Sequence, residues 1–342
     1  MKRTAIALVT IALVVAAALV VAVGTSRAQG DALRTPLPAP VRARVGMLNV
    51  PALSPLWLLG DYAGKYNVQV EHVMFQRFAD ARTALASGDI EMAAFGPQDI
   101  TLAVAQGTRS LVGVAGLGSG NDCLIVRKGE DVKEWKELLG KRIGVGAGSI
   151  SWVKFAASVQ EHGLDYGKLR VINIVGGGAN YLKALQGREI DLAVVWQPFC
   201  AQAITDGWGQ YPTIDHNRSR AIGGWIAVLA VNRGFMERHR DAVQRLVVAY
   251  VDILRFATAN PDRWAKIYAE RAGLSEAVAR ESIRITRLDH TLPLASIKRI
   301  SKFLSDNGVI PRDVSGEIEQ YYTYEFLARA TGRSPQELGQ GL

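Results

Sequence analysis

At 342 residues the chain is too long for one ordinary domain and comfortable for two. A hydrophobic content of 49% supports packed cores and excludes a disordered chain. The formal charge of +8 comes with no basic run interleaved with aromatics, so nucleic acid is not an expected partner.

Lys2 and Arg3 precede an uncharged stretch from Ala5 to Val23, and Ser26-Arg27-Ala28 offers small residues for a cut before Gln29. This pattern predicts a signal peptide over residues 1–28, cleaved after Ala28, with retention of the run as an anchor the alternative. Cleavage removes Lys2, Arg3 and Arg27, so 40 basic and 32 acidic residues become 37 and 32, a mild excess that favours anionic solutes only weakly. Residues 29–40, with Pro36, Pro38 and Pro40, read as a tether. No later segment is long and apolar enough to span a bilayer.

Arg44 to Leu48 reads as a first strand, and Ser54-Pro55 as a helix start with serine at the N-cap and proline at the first helical position. Val68 to Phe75 is a second strand, Ala79 to Ala86 a helix, and Ile90 to Phe95 a third strand. The pattern restarts at Arg142 to Val145, followed by the glycine-rich turn Gly146 to Ser151 and a helix over Val153 to Glu161. Val171 to Val175, a helix from Tyr181 and the strand Leu192 to Val195 complete it. Strand–helix alternation of this kind predicts parallel sheets with helices on both faces. Cys123 to Val126 and Trp225 to Val231 are natural crossover strands, and the remainder reads as helix, including Arg245 to Leu254 and a proline start at Ala259-Asn260-Pro261-Asp262.

The chain nearly repeats itself one hundred residues on. Ala84-Leu85-Ala86-Ser87-Gly88-Asp89-Ile90-Glu91 returns as Ala184-Leu185-Gln186-Gly187-Arg188-Glu189-Ile190-Asp191, each copy a helix end closed by glycine and a strand opened by an Ile-acid pair. Two units of one build predict two similar lobes and a cleft between them. The expected division is 41–124 plus 226–342 for the first lobe, with its C-terminal helices, and 125–225 for the second.

In open parallel sheets ligands bind beyond the carboxyl ends of the strands. The turns there supply Asn49, Pro51, Ser54, Pro97, Gln98, Ser149, Ser151, Asn180, Trp196 and Gln197, and the crossover supplies Trp225. These are the candidate ligand-binding residues, since free amides and hydroxyls at helix N-termini suit a sulfonate, carboxylate or phosphate. For Ser54, Ser149, Ser151 and Asn180, helix capping is the competing reading, and Trp57 and Trp152 are expected in the core. Arg77 and Arg82 are expected to face solvent.

Other chemistries lack their equipment. Gly144 to Gly148 follows a strand, but Ser149 stands where a dinucleotide fingerprint needs glycine. There is no P-loop, no nucleophile elbow and no histidine spacing for a metal, so no cofactor or metal is expected. Cys123 and Cys200 would need Cα atoms within about 7 Å to pair, and two separate buried thiols are the simpler expectation.

From Val41 to Ile285 these segments resemble periplasmic solute-binding proteins of ABC importers of the nitrate/sulfonate/taurine type, a family that includes thiamin-pyrimidine binders. The resemblance is carried by Val45-Gly46-Met47 with Pro51 and Ser54, by Ala84 to Ile90, by Leu139 to Val145, by Gly187 to Pro198 and by Ala259 to Asp262. It implies a two-lobed periplasmic-binding-protein-like (type II) α/β fold, each lobe a mainly parallel sheet flanked by helices, with a ligand cleft between lobes that close by hinge motion. It also implies a periplasmic monomer that is not an enzyme. Such a receptor binds a small organic solute, anionic or neutral, sulfonate- or taurine-like or aromatic, and delivers it to the transmembrane permease of an ABC importer with its cytoplasmic ATPase. Where many relatives have Trp-acid-Pro, this chain has Trp196-Gln197-Pro198, which weakens a thiamin-precursor assignment. A pyrimidine-synthase-like enzyme on the same fold would call for a cysteine-rich segment and an intracellular chain. A membrane-anchored sensory ectodomain would keep Ala5 to Val23. N-terminal sequencing of the exported protein is expected to begin at Gln29, whereas a chain still beginning at Met1 would support the anchor.

Overall fold

Short apolar strands separated by helices leave the backbone one economical course, in which each strand crosses over to lie parallel to an earlier one. The computed structural model describes residues 32–220 and 222–341, so the leader assigned to 1–28 lies outside the described residues. The chain begins with β1 (Val41–Met47), a 3-10 helix (Pro51–Leu58), α1 (Leu59–Gly64), β2 (Val68–Met74), α2 (Phe78–Ser87), β3 (Met92–Phe95), α3 (Pro97–Ala105) and β4 (Leu111–Gly116). It continues with β5 (Asp122–Arg127), β6 (Arg142–Val145), α4 (Ile150–Glu161), β7 (Arg170–Asn173), α5 (Gly178–Gln186), β8 (Leu192–Trp196), α6 (Phe199–Thr205) and β9 (Gly209–Gln210). It returns in β10 (Val228–Asn232) and ends in α7 (Arg233–Arg238), α8 (Arg240–Ala259), α9 (Pro261–Ala272), α10 (Glu276–Arg284), α11 (Leu294–Asp306) and α12 (Glu325–Thr331).

Two five-stranded sheets result, ordered β2-β1-β3-β10-β4 and β7-β6-β8-β5-β9. In each, the leading strand runs parallel to two neighbours, and the crossover strand, β10 or β5, enters antiparallel. The sheets therefore correspond strand for strand, and the expected two-lobed α/β architecture is the observed one. The duplicated sequence has a duplicated job. A Cβ on Gly46 in β1 would meet the Ile90 side chain at 2.7 Å, and one on Gly144 in β6 would meet Ile190 at 2.5 Å. The acid after each isoleucine then clamps the arginine two residues before that glycine. Glu91 takes the Arg44 backbone N–H at 2.7 Å and its guanidinium at 2.8 Å, while Asp191 takes the same groups of Arg142 at 2.8 and 2.6 Å. The left-handed position closing the helix is Gly88 in the first copy but Arg188, not Gly187, in the second.

Residues 117–121 and 222–227 join the two lobes, and a third segment runs beside them: Ser119 and Arg287 exchange backbone hydrogen bonds of 2.8 Å each. Gly118 has φ +90°, and a Cβ there would overlap the Arg287 carbonyl, so only glycine allows this approach. The C-terminal helices brace both lobes: α10 packs on α6, and α11 packs on α3 and α4, with the Trp152 and Phe303 rings 5.9 Å apart. From Arg34 onward the segment read as a tether is laid against the fold. Arg34 makes a bidentate pair with Asp252 at 2.5 and 2.9 Å, and the Leu37 N–H donates to the Tyr66 carbonyl at 3.0 Å.

Where the lobes join, α4 carries a fully buried lysine. Lys154 Nζ donates to Asp122 Oδ2 at 2.5 Å and to the Gly224 carbonyl at 3.2 Å, linking α4 to both crossover connections. Ser151 donates to the other Asp122 oxygen at 2.5 Å. Burial alone would raise the Asp122 pKa, but the Lys154 charge and these donors hold it below the ordinary value. Removing one partner of such a buried pair costs about 3–5 kcal/mol, because the other is left uncompensated. His216 lies nearby, buried, with both ring nitrogens unpartnered among the described residues.

Two expectations are corrected. Ser54 is not an N-cap: Pro51 already occupies the first helical position after extended Val50, so Ser54 falls inside the 3-10 helix. Cys123 and Cys200 are not separate thiols but a disulfide, with Cα atoms 6.5 Å apart. The pairing follows from topology, because Cys123 in β5 lies opposite Val195 in β8, and α6 starts just beyond.

The disulfide spans a sequence separation of 77, which in the chain-entropy picture stabilises the fold by about 4.5 kcal/mol. Denaturant unfolding with and without reductant is expected to show a loss of that order, and an unchanged midpoint would contradict it. Burial, opposed in part by Asp122, lowers the His216 pKa from 6.5 to about 4. The unfolded chain therefore binds the extra proton first, and stability present above pH 6.5 is lost as pH falls toward 4, by about 3 kcal/mol. His216→Leu is expected to abolish that increment of acid lability; equal pH dependence in both proteins would refute it.

Candidate functional site

The strand order decides where a ligand can sit. β1, β3 and β4 end on one edge of the first sheet, where antiparallel β10 begins. β6, β7 and β8 end on one edge of the second, where antiparallel β5 begins. Residues 117–121 run from the end of β4 to the start of β5, and residues 222–227 lead into β10. The connections thus join like edge to like edge, so the carboxyl ends of both sheets border one cleft floored by the crossover segments.

On the first-lobe edge, exposed Asn49 offers its side chain to solvent while its carbonyl accepts from Tyr268 at 3.5 Å. Pro51 and Ser54 are buried; the Ser54 hydroxyl donates to the Pro51 carbonyl at 2.7 Å and accepts from Trp264 Nε1 at 2.7 Å. Pro97 opens α3, where its missing N–H is no loss. Gln98 is 3% exposed; its Nε2 donates to Asp99 at 3.1 Å, and its Oε1 has no partner among the described residues.

Arg82 does not face solvent as expected. It donates to Asp99 at 2.8 Å and is only 17% exposed. Desolvation pushes the Asp99 pKa up to about 6 although the Arg82 charge opposes it. Arg77 is exposed and pairs with Asp80 at 2.6 Å. An i, i+3 ion pair on the surface is readable from spacing, whereas Arg82 and Asp99 meet only because α2 and α3 pack side by side.

On the second-lobe edge, Ser149 is the N-cap of α4, its Oγ accepting from the Trp152 N–H at 3.1 Å. Ser151 holds Asp122, as described. Asn180 is exposed and donates to the Val175 carbonyl at 2.9 Å; Gly177 occupies the N-cap of α5. Trp196 is half-buried, edge-to-face with Tyr181 at 5.7 Å and Phe199 at 5.9 Å. Gln197 is fully buried, its Oε1 accepting from the Ala201 N–H at 3.0 Å and its Nε2 donating to Tyr211 at 2.8 Å. Its place beside Trp196 is therefore fixed by internal bonds at both ends of its amide.

At the floor, Trp225 is buried with Nε1 unpartnered among the described residues, and so is Asn121 Oδ1 just before β5. Asn121 escaped the sequence reading because nothing local distinguishes it; only the antiparallel entry of β5 brings it to this edge. The Ser54–Pro51 hydrogen bond joins two candidates of the first lobe, and topology sets the first- and second-lobe rows on facing edges. The helix N-termini of α3, α4 and α5 supply N–H groups without intrahelical partners, and their dipoles favour a negative charge.

The described residues also form two surface cavities, the first bordered by Trp264, the partner of Ser54, and by Arg287, the partner of Ser119. One of about 460 Å³ is lined by Thr258, Trp264, Arg280 and Arg284, and one of about 570 Å³ by Trp135, His162, Asp215 and Arg218. Of the arginines that line them, Arg280 pairs with Asp262, Arg284 with Glu281 and Arg218 with Asp215, while Arg287 and Arg220 line them as well.

Comparison with known proteins agrees with this architecture. A taurine-binding periplasmic protein of Escherichia coli is 26% identical over 286 residues, covering 78% of this chain and 86% of the relative. A 2'-hydroxybiphenyl-2-sulfinate desulfinase of Rhodococcus erythropolis is 22% identical over 286 residues, covering 67% of this chain and 76% of the enzyme. The alkanesulfonate-binding protein SsuA from Xanthomonas axonopodis pv. citri, bound to MOPS, superposes with a TM-score of 0.72 at 16% identity, covering 84% of this chain and all of that one, and so shares the fold. Relatives at this distance thus include both binding proteins and an enzyme. The NMT1-like family model matches residues 38–271, well over half of the sequence, and the chain belongs to that family.

Proposed function

We propose that this chain is an exported solute receptor that binds a small organic anion of the sulfonate class between its lobes and delivers it to the permease of an ABC importer. The observation that carries the reading is the meeting of two matched sheet edges, each ending in helix N-termini, across a floor made of the two crossover segments. The relatives named for taurine and alkanesulfonate support the anion class. In this reading residues 1–28 are removed on export, and 41–124 plus 226–342 move against 125–225 about the crossovers.

The ligand would meet the cleft through the turns that carry Asn49, Pro51, Ser54, Pro97, Gln98, Ser149, Ser151, Asn180, Trp196, Gln197 and Trp225. Residues whose side chains are already satisfied internally, such as Ser54 and Gln197, would act by holding their turns in shape. Gln98 and Trp225, each with a buried atom unpartnered among the described residues, would contact ligand or its ordered water, as would Asn121. We further infer that the chain binds and does not convert its solute: the sequence contains two cysteines, both in the disulfide, so no thiol is available as a nucleophile.

A thermal-shift screen of the mature protein tests this. A bound solute at about 100 times its dissociation constant adds roughly 2.7 kcal/mol, a rise of several degrees. A rise with alkanesulfonates or arylsulfonates, absent with pyrimidines, is the expected result. Stabilisation by pyrimidines alone, or turnover of a sulfinate to free sulfite, would overturn it.

A further inference from the structure

We infer that the solute's organic part is apolar, aromatic or alkyl, and carries no ammonium group; this rests on the sulfonate reading above and adds what lies behind the anionic head. Acids are scarce at the cleft edges. The first turns of α4, α5 and α6, which make up the second-lobe edge, contain no acidic residue. On the first-lobe edge the first turns of α2 and α3 contain Asp80 and Asp99, and each is already bound to an arginine, Arg77 and Arg82. Gln197, the side chain placed beside Trp196, is neutral and satisfied by Ala201 and Tyr211. An ammonium entering beside these helix turns would surrender its hydration with no free carboxylate in them to replace it, Asp122 at the β5 edge being held by Lys154, while facing the positive ends of α4 and α5.

The same edge offers a surface for hydrocarbon. Trp196 ends β8 with its ring partly exposed, and the edge-to-face contacts of Tyr181 and Phe199 fix its orientation. Tyr181 is itself anchored, its hydroxyl donating to the Ile174 carbonyl at 3.3 Å. Beyond Ile174, Val175 is 74% exposed in the turn that leads into α5. A rigid indole, with an exposed valine beyond the end of β7 on the same sheet edge, beside helix N-termini suits a ligand with one charged end and an apolar body. A zwitterion of taurine's kind would meet the anion half of this arrangement and find nothing for the other half.

Calorimetric titration of ligand-free mature protein with four sulfonates separates the possibilities. Propane-1-sulfonate differs from taurine in carrying a methyl where taurine carries its ammonium. It is expected to bind at least about tenfold more tightly than taurine. Benzenesulfonate is expected to bind at least about tenfold more tightly than methanesulfonate. Trp196→Leu should remove most of the benzenesulfonate advantage while leaving methanesulfonate within about twofold; Trp196→Phe, which preserves the ring packing, should keep part of it. Taurine binding as tightly as propane-1-sulfonate would overturn the inference and leave the receptor reading intact. An aryl preference unchanged in both variants would overturn the role of Trp196. Failure of all four sulfonates, methanesulfonate included, would instead refute the sulfonate reading and this inference with it.

Discussion

An isoleucine that fills the space left by a glycine, followed by an acid that clamps the arginine of the same strand, organises each half of this molecule. In the first lobe the residues are Ile90, Gly46, Glu91 and Arg44; in the second they are Ile190, Gly144, Asp191 and Arg142. The isoleucine lets the leading strand lie against the third at close range, and the bidentate ion pair sets their register. Asp191 is held well below the usual carboxylate range, first by the Arg142 guanidinium, against the opposing effect of partial burial. Once two strands are registered in this way, the helices between them must lie on the sheet faces, and the carboxyl ends must share an edge.

The second constraint is the floor. Two connections cross between lobes, and a third segment, held to the first by the Ser119–Arg287 exchange, runs alongside. Lys154 extends this assembly into α4, because one ammonium serves Asp122, where the first connection enters β5, and Gly224 on the second. The helix whose N-terminus borders the cleft is thereby tied to the segments about which the lobes would move. A buried ion pair is a poor source of net stability but a strict one of geometry, since each charge tolerates only the other.

Much of this was legible in the sequence because it was local or repeated. The duplicated Ala-Leu segments marked α2–β3 and α5–β8, and strand–helix alternation marked the parallel order. What escaped was whatever depends on distant segments meeting. The cysteines lie 77 residues apart and pair only because β5 enters beside β8. Arg82 reads as a surface residue of an amphipathic helix until α3 brings buried Asp99 against it. Ser54-Pro55 has the chemistry of a helix start, but Pro51, three residues earlier, had already begun one. At the cleft, sequence pointed to turns on the sheet edges rather than to free atoms: several candidate side chains are satisfied within the chain, and Asn121 was invisible before topology placed it.

The central claim is that an anion sits where the helix N-termini of the two lobes face each other over the crossover floor. Hydrogen–deuterium exchange of the mature protein with and without saturating methanesulfonate tests it most directly. The account predicts slowed exchange at the amides of Gln98, Ile150, Ser151, Gly178 and Ala179, together with the connections at 117–121 and 222–227. Protection confined to the walls of the two surface cavities, around Arg280 or around Arg218, with these amides unchanged, would contradict it.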